Sequence, residues 1–195
     1  MGLKNEFMAA GIGVGRNRPR GGVDAHAGPA YLLRMPTVYQ AIVPAPFGAL
    51  GVITDGTTVS EIVYLPPGTP AKQAVNALAD RAVEQLVRYF DDPDYVFDLP
   101  LCAAGTAFQR AVWREISAVP RGQVVSYGHI AKHLRSAARA VGQACGANPF
   151  PPIVPCHRVV SASGLGGFAN NTDGFLIATK HWLLTHEGWL SNSLI

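Results

Sequence analysis

Residues 153–160 read IVPCHRVV and place the one Cys-His dipeptide of the chain directly after a proline. The flanks Ile153, Val154, Val159 and Val160 are apolar and β-branched, the composition of short buried β-structure. Adjacent side chains in an extended strand point to opposite faces. A thiol and an imidazole can therefore cooperate here only through a turn or a bridging water, and Pro155 favours a turn by fixing its own φ. A thiol reacts as thiolate, so Cys156 needs a neighbour that takes its proton or lowers its pKa, and His157 is the candidate base. An imidazole in that role wants a carboxylate to hold its tautomer. Residues 101–195 contain three acids, Glu115, Asp173 and Glu187. Glu187 ends an apolar helical pattern just before Gly188 and is the best placed of them.

Other readings of the pair weigh less. A buried structural cysteine is the usual fate of a lone thiol, but the adjacent histidine argues against it. A zinc site wants four ligands with CxxC-like spacing, which Cys102, Cys145 and Cys156 do not offer. A cysteine protease would place its histidine far from its cysteine, and no such signature surrounds Cys156. A dithiol pair with Cys145, eleven residues upstream, stays open.

The chain has 195 residues, 48% apolar and 15% charged, which fits an ordinary globular protein with a sizeable core. No apolar run is long enough to span a bilayer, and the N-terminus lacks the continuous apolar core of a secretory signal. Three scattered cysteines suit a reducing, cytoplasmic setting. The net charge of +3 hides a segregation: residues 1–35 carry +3, residues 36–100 carry −5 and residues 101–195 carry +5. A polyanion would meet the last of these segments.

Residues 1–35, rich in Gly, Arg and Pro, read as a flexible tail. Thr37–Val43, Ala49–Thr54 and Val59–Leu65 read as a small antiparallel sheet. A helix is expected from Pro70 to about Phe90, carrying Ala74, Leu78, Ala82, Leu86 and Tyr89 on one face. This N-terminal domain, 36–100, shows no catalytic constellation. In the C-terminal domain, 101–195, Thr106 and Gln109 form a capping-box pattern. Phe108, Val112, Ile116 and Val119 then share a helix face. Ser126 can cap a helix from Tyr127 to about Leu134, and a further helix runs from about Ala137 to Ala147. Two short helices and a tight turn resemble a helix-turn-helix, with Arg135 and Arg139 at the second helix. A last helix is expected from about Leu176 to Glu187. The fold class is α/β (α+β): a small antiparallel sheet with a helix, then a mainly helical domain bearing the cysteine.

The segments GTAFQRAVWREISAVPRGQVVSYGHIA (105–131), ARAVGQACGANP (138–149), IVPCHRVV (153–160) and KHWLLTHEG (180–188) resemble, in the same order, the O6-alkylguanine-DNA alkyltransferases, or methylated-DNA–protein-cysteine methyltransferases. The resemblance is dense over 100–190 and looser over 36–98. It implies direct-reversal DNA repair, in which Cys156 takes the alkyl group of O6-alkylguanine, or of O4-alkylthymine, once and for good. It implies that His157 acts as base through a water, that Glu187 orients it and that Asn148 braces the active-site turn. Tyr127 would help rotate the nucleotide and bond the flipped base, and Arg139 would fill the gap left in the duplex. Arg135, Ser126, Ala138 and Gly142 would join the DNA surface. Val159, through its main chain, Pro155 and Phe168 would line the base pocket. The implied partner is double-stranded DNA, bound through the minor groove with the damaged base flipped. The implied protein is a monomer that needs neither cofactor nor metal and has no membrane role.

Several positions depart from the family's pattern. The stretch between Ala131 and Ala138 is shorter than usual and lacks a Gly-x-Pro turn. Phe168 stands where a tyrosine is usual, and the loop Ala169–Thr179 is longer. Two other functions fit parts of the sequence. A non-catalytic lesion-recognition relative would lack the reactive cysteine that Cys156 provides. A helix-turn-helix transcriptional regulator would prefer one DNA sequence, whereas repair predicts salt-sensitive binding without sequence preference.

Overall fold

The apolar runs form a three-stranded antiparallel sheet, β1 (Ala41–Ala45), β2 (Gly48–Thr54) and β3 (Val59–Leu65), in the order β1-β2-β3. The structure is a computed structural model that describes residues 38–192, so the expected tail at 1–35 lies outside the described residues. Strand alternation decides which face is buried. Leu50 opposes Tyr64 and Val52 opposes Ile62 across β2 and β3, and all four side chains are buried.

The helix after the sheet begins later than its apolar spacing predicts, as α1 (Ala77–Asp91). The residues before it pair with the sheet instead. Ile42 and Lys72 exchange both main-chain hydrogen bonds at 3.0 Å, and Val75 N donates to Gln40 O. Those groups are lost to a helix until Asn76, whose side chain accepts from Ala79 N at 2.8 Å, starts one. Leu78, Ala79, Ala82, Leu86 and Tyr89 form the buried face of α1.

The second half of the chain bonds to the outer edge of β3. Val59 N donates to Pro100 O, Cys102 N donates to Val59 O, and Ile62 N donates to Pro149 O at 2.8 Å. The capping box of Thr106 and Gln109 opens α2 (Ala107–Ser117), which buries Val112, Trp113 and Ile116. Trp113 Nε1 donates to Ala144 O at 2.8 Å and so fixes α2 against α4 (Ala138–Gly146). A two-residue parallel ladder joins β4 (Val125–Ser126) to β5 (Val159–Val160). β4 runs straight into α3 (Tyr127–His133), where Ser126 Oγ accepts from His129 N at 3.1 Å as the cap. That ladder sets Tyr127 beside the chain leaving Cys156. The final helices are α5 (Gly174–His186) and α6 (Trp189–Asn192). The long loop therefore ends at Asp173, and its expected second half is helix. Gly188 ends α5 at φ 86, a left-handed conformation that suits glycine. No helix among the described residues is long and apolar enough to cross a membrane.

The shortened connection between α3 and α4 is closed by a residue with a side chain. Arg135 sits at φ 49 while Ser136 N donates to Ala131 O at 2.8 Å, and Ala137 gives α4 no side-chain cap. Left-handed backbone costs a side-chain-bearing residue about 1–2 kcal/mol, whereas glycine there costs about 0.4–1 kcal/mol of extra unfolded-state entropy. Strain relief wins, so Arg135→Gly should raise stability by about 0.5–1 kcal/mol, read as a higher urea midpoint with unchanged slope.

Candidate active site

Pro155, at φ −82 and ψ 63, turns the chain out of the extended form, and Cys156–Arg158 make a single 3-10 turn. The turn resolves the adjacency problem, because Cys156 and His157 no longer alternate across a strand. Both are buried, Cys156 with 5% and His157 with 0% exposure.

The imidazole rests on Glu187, with Nε2 2.9 Å from Oε1. An ionised carboxylate only accepts, so Nε2 carries the proton, and Nδ1 of the neutral ring holds a free lone pair. Nδ1 is buried with no hydrogen-bond partner among the described residues. Burial is the largest influence on this ring and holds its pKa below the usual value, outweighing the opposing pull of Glu187. At neutral pH the ring is thus an uncharged base whose basic atom is Nδ1.

Glu187 is 1% exposed and accepts four hydrogen bonds. Tyr89 Oη donates at 2.8 Å, His157 Nε2 at 2.9 Å, and Arg158 through Nε at 2.7 Å and Nη2 at 2.9 Å. Burial alone would raise the carboxyl pKa. The hydrogen bonds and charges of His157 and Arg158 overcome it and hold the group well below the carboxylate range. Arg158 also donates Nη1 to Val119 O at 2.6 Å.

Burial pushes the Cys156 thiol up, and several groups push back. Asn148 Nδ2 lies 3.3 Å from Sγ and also donates to Val154 O at 2.7 Å, while its Oδ1 accepts from Phe150 N at 3.0 Å. The charge of Lys180 is next, followed by main-chain hydrogen bonds at Cys156 and His157. Lys180 is 0% exposed, and its Nζ donates to the carbonyls of Val159, Leu165 and Gly167 at 2.7, 2.6 and 3.0 Å. Burial lowers its pKa to about 8, against the opposing influence that Cys156 and Cys145 exert when ionised. For Cys145, burial first and then Cys156 outweigh the opposing charge of Lys180 and a main-chain hydrogen bond and raise it to about 12, so it stays protonated at neutral pH.

The structure brings Tyr127, Ala138, Arg139, Gly142, Cys156 and Phe168 together on one cavity of about 630 Å3. Tyr127 Oη donates to Gly167 O at 2.9 Å, and the Phe168 ring is buried 5.4 Å from that of Tyr64. Arg139 is exposed at the start of α4. Asn148, His157 and Glu187 are not on this cavity's wall and gather around the turn instead. Ser126 is occupied as the α3 cap, and Arg135 forms the interhelical turn. Pro155 lines a separate cleft with Tyr89 and Arg121, because the turn it starts carries it to the other side. Val159 N donates to Cys156 O and Val159 O accepts from Lys180, so its main chain is engaged within the protein. Sequence reasoning missed Tyr89, Arg158 and Lys180. For the last two a signal existed, since a charge inside an apolar run is buried only when paired.

Because the Glu187 pKa is depressed, its stabilising contribution is present above the ordinary carboxyl value and drains as pH falls below it. The urea midpoint of the wild type should therefore decline more steeply below pH 4.5 than that of Glu187→Gln. At neutral pH the variant should be less stable by roughly 1–3 kcal/mol, since the largely buried Arg158 guanidinium loses its charged partner. Lys180→Met should raise the Cys156 pKa further, read as a shift to higher pH of thiol alkylation by iodoacetamide. An unmoved profile would show that the ammonium does not act on the thiol.

Residues 107–189 match the family described as 6-O-methylguanine DNA methyltransferase, DNA binding domain. The chain is 46% identical over 111 residues to a methylated-DNA–protein-cysteine methyltransferase of Salmonella typhimurium, covering 55% of this chain and 62% of that one, so the match spans less than two thirds of that relative. A protein of the same name from Mycobacterium bovis is 38% identical over 65% of this chain and 81% of its own. The crystal structure of the Mycobacterium tuberculosis O6-methylguanine methyltransferase superposes with a TM-score of 0.61 and 34% identity, covering 75% of this chain and 90% of that one. The chain belongs to the methylated-DNA–protein-cysteine methyltransferase family.

Proposed function

We propose that this protein repairs DNA by direct reversal, transferring the alkyl group of O6-alkylguanine to Cys156 Sγ in a single turnover. The observation that carries this reading is the placement of a buried thiol on a cavity wall with Tyr127 and Arg139, backed by the Asn148 amide and by the His157–Glu187 pair. The thiol proton passes to His157, whose uncharged Nδ1 is the available base. The sulfur then attacks the alkyl carbon, the C–S bond forms as the C–O6 bond breaks, and the guanine takes up the proton as it leaves. The thioether is not a leaving group under these conditions, so each molecule acts once. The role of base through a water is assigned to His157, and that of its orienting carboxylate to Glu187.

The reactive carbon lies inside a duplex, so the nucleotide must be extruded to reach a buried sulfur. Arg139, exposed at the mouth of the cavity, is assigned to the gap that remains in the stack. Lys132, Arg135 and Arg139 are all exposed on the α3–α4 unit and would meet phosphates, with α4 in the minor groove. All the site residues named come from one chain, which supports a monomeric repair unit; its proposed setting is the cytoplasm. A Mycobacterium tuberculosis relative at 35% identity was solved in complex with DNA, which supports DNA as partner.

Intact-protein mass spectrometry after incubation with a duplex carrying one O6-methylguanine tests the reading. Wild type should gain one methyl and saturate at one per molecule, and Cys156→Ala should gain none. A wild type that binds the lesion duplex preferentially without gaining mass would instead be a recognition protein.

A further inference from the structure

Cys156 stands on the walls of two cavities. Besides the large one that carries Tyr127 and Arg139, a smaller cavity of about 180 Å3 reaches the thiol from the side of β3. Cys145, Gly146, Cys156 and Ala169 line both, so the two cavities adjoin each other at Cys156. Ile62, Tyr64, Pro151 and Leu176 make the remainder of the smaller cavity largely apolar. Asn170, on the wall of the large cavity, donates Nδ2 to Gly146 O at 3.3 Å. Any side chain at Gly146 would run into that amide, 2.1 Å away.

Tyr64 is the unexplained group on this wall. It is 8% exposed, and its hydroxyl is buried without a hydrogen-bond partner among the described residues. The ring packs 5.6 Å from Phe47 and 5.4 Å from Phe168, contacts that a phenylalanine would make equally well. Core packing therefore accounts for the ring and not for the oxygen, since a buried hydroxyl left unpaired is unfavourable. Burial, and then the nearby Cys156, keep the phenol protonated, so it can act as a donor.

The geometry of displacement says what the second cavity is for. Sulfur, reacting carbon and departing O6 lie on one line, so any chain on that carbon leaves the line sideways. With the base in the large cavity, the smaller one is the free space beside the sulfur. Resting on the alkyl-transfer reading above, we propose that it receives the chain beyond the reacting carbon, and that the Tyr64 hydroxyl selects O6 adducts ending in a neutral oxygen acceptor, such as 2-hydroxyethyl. The bond changes are those of methyl transfer: C–O6 breaks, C–S forms, and the thiol proton ends on guanine. The product is an S-hydroxyethyl cysteine whose oxygen accepts from Tyr64. A carboxylate terminus is disfavoured, because the attacking thiolate is itself negative.

Single-turnover transfer to wild type, Tyr64→Phe and Leu176→Trp, followed by intact mass on duplexes carrying O6-methyl-, O6-n-propyl- or O6-(2-hydroxyethyl)guanine, tests this. Propyl and hydroxyethyl are nearly equal in size, so the ratio of their rates isolates the hydrogen bond. Tyr64→Phe should lower the hydroxyethyl-to-propyl ratio roughly three- to tenfold relative to wild type, and an unchanged ratio overturns the assignment. Leu176→Trp, which fills the cavity, should slow both longer adducts relative to methyl and level their ratio, and this variant decides the matter if Tyr64→Phe does not fold. Failure of wild type to take even methyl would instead remove the underlying reading, and this inference with it.

Discussion

A single buried carboxylate organises this molecule. Glu187 stays ionised out of water only because four hydrogen bonds reach it, two of them from one guanidinium. The donors come from α1 and from the 3-10 turn, and the acceptor sits at the end of α5, so satisfying one charge pins three distant segments to each other. The same contact decides which nitrogen of His157 is protonated. Structural integrity and the state of the base therefore rest on one group and cannot be varied independently.

Lys180 is the counterpart of opposite sign. Three carbonyls hold its ammonium, two of them in the loop that follows β5, and its field reaches the thiol. Even so, burial prevails and the thiol pKa stays raised. A site of this kind does not keep a standing thiolate exposed to stray electrophiles. It holds a protonated sulfur that becomes nucleophilic when a base takes its proton, the part proposed for the uncharged Nδ1 of His157. Cys145, on the same cavity but without the Asn148 contact, shows what burial does to a thiol with fewer compensating groups.

Much of this was legible in the residues. Strand alternation, the Thr106–Gln109 capping box, the Pro-Cys-His turn and Glu187 at the end of an apolar helix are local signals, and the family resemblance located Asn148. Long-range contacts were not legible. Tyr89 meets Glu187 across 98 residues, and its helical spacing marked it as a core residue with nothing to distinguish its hydroxyl. The start of α1 was misplaced because residues 70–76 carry helix-compatible spacing, while their main chain is claimed by β1, a fact that only tertiary pairing reveals. The resemblance implied a base pocket that held Pro155 together with its neighbours in sequence. A turn reverses such neighbourhoods, and the proline faces the opposite cleft.

Lys180 and Glu187 lie seven residues apart on α5 and its cap. At 3.6 residues per turn this is close to two turns, so both side chains project from nearly the same face about 10 Å apart. One grips the chain just after the nucleophile and the other grips the turn that contains it. The helix thus serves as a gauge block for the reactive segment. A single residue inserted between the two would swing one of them by about 100° and uncouple the grip, whereas extra chain before Gly174 is absorbed by the loop without reaching the sulfur.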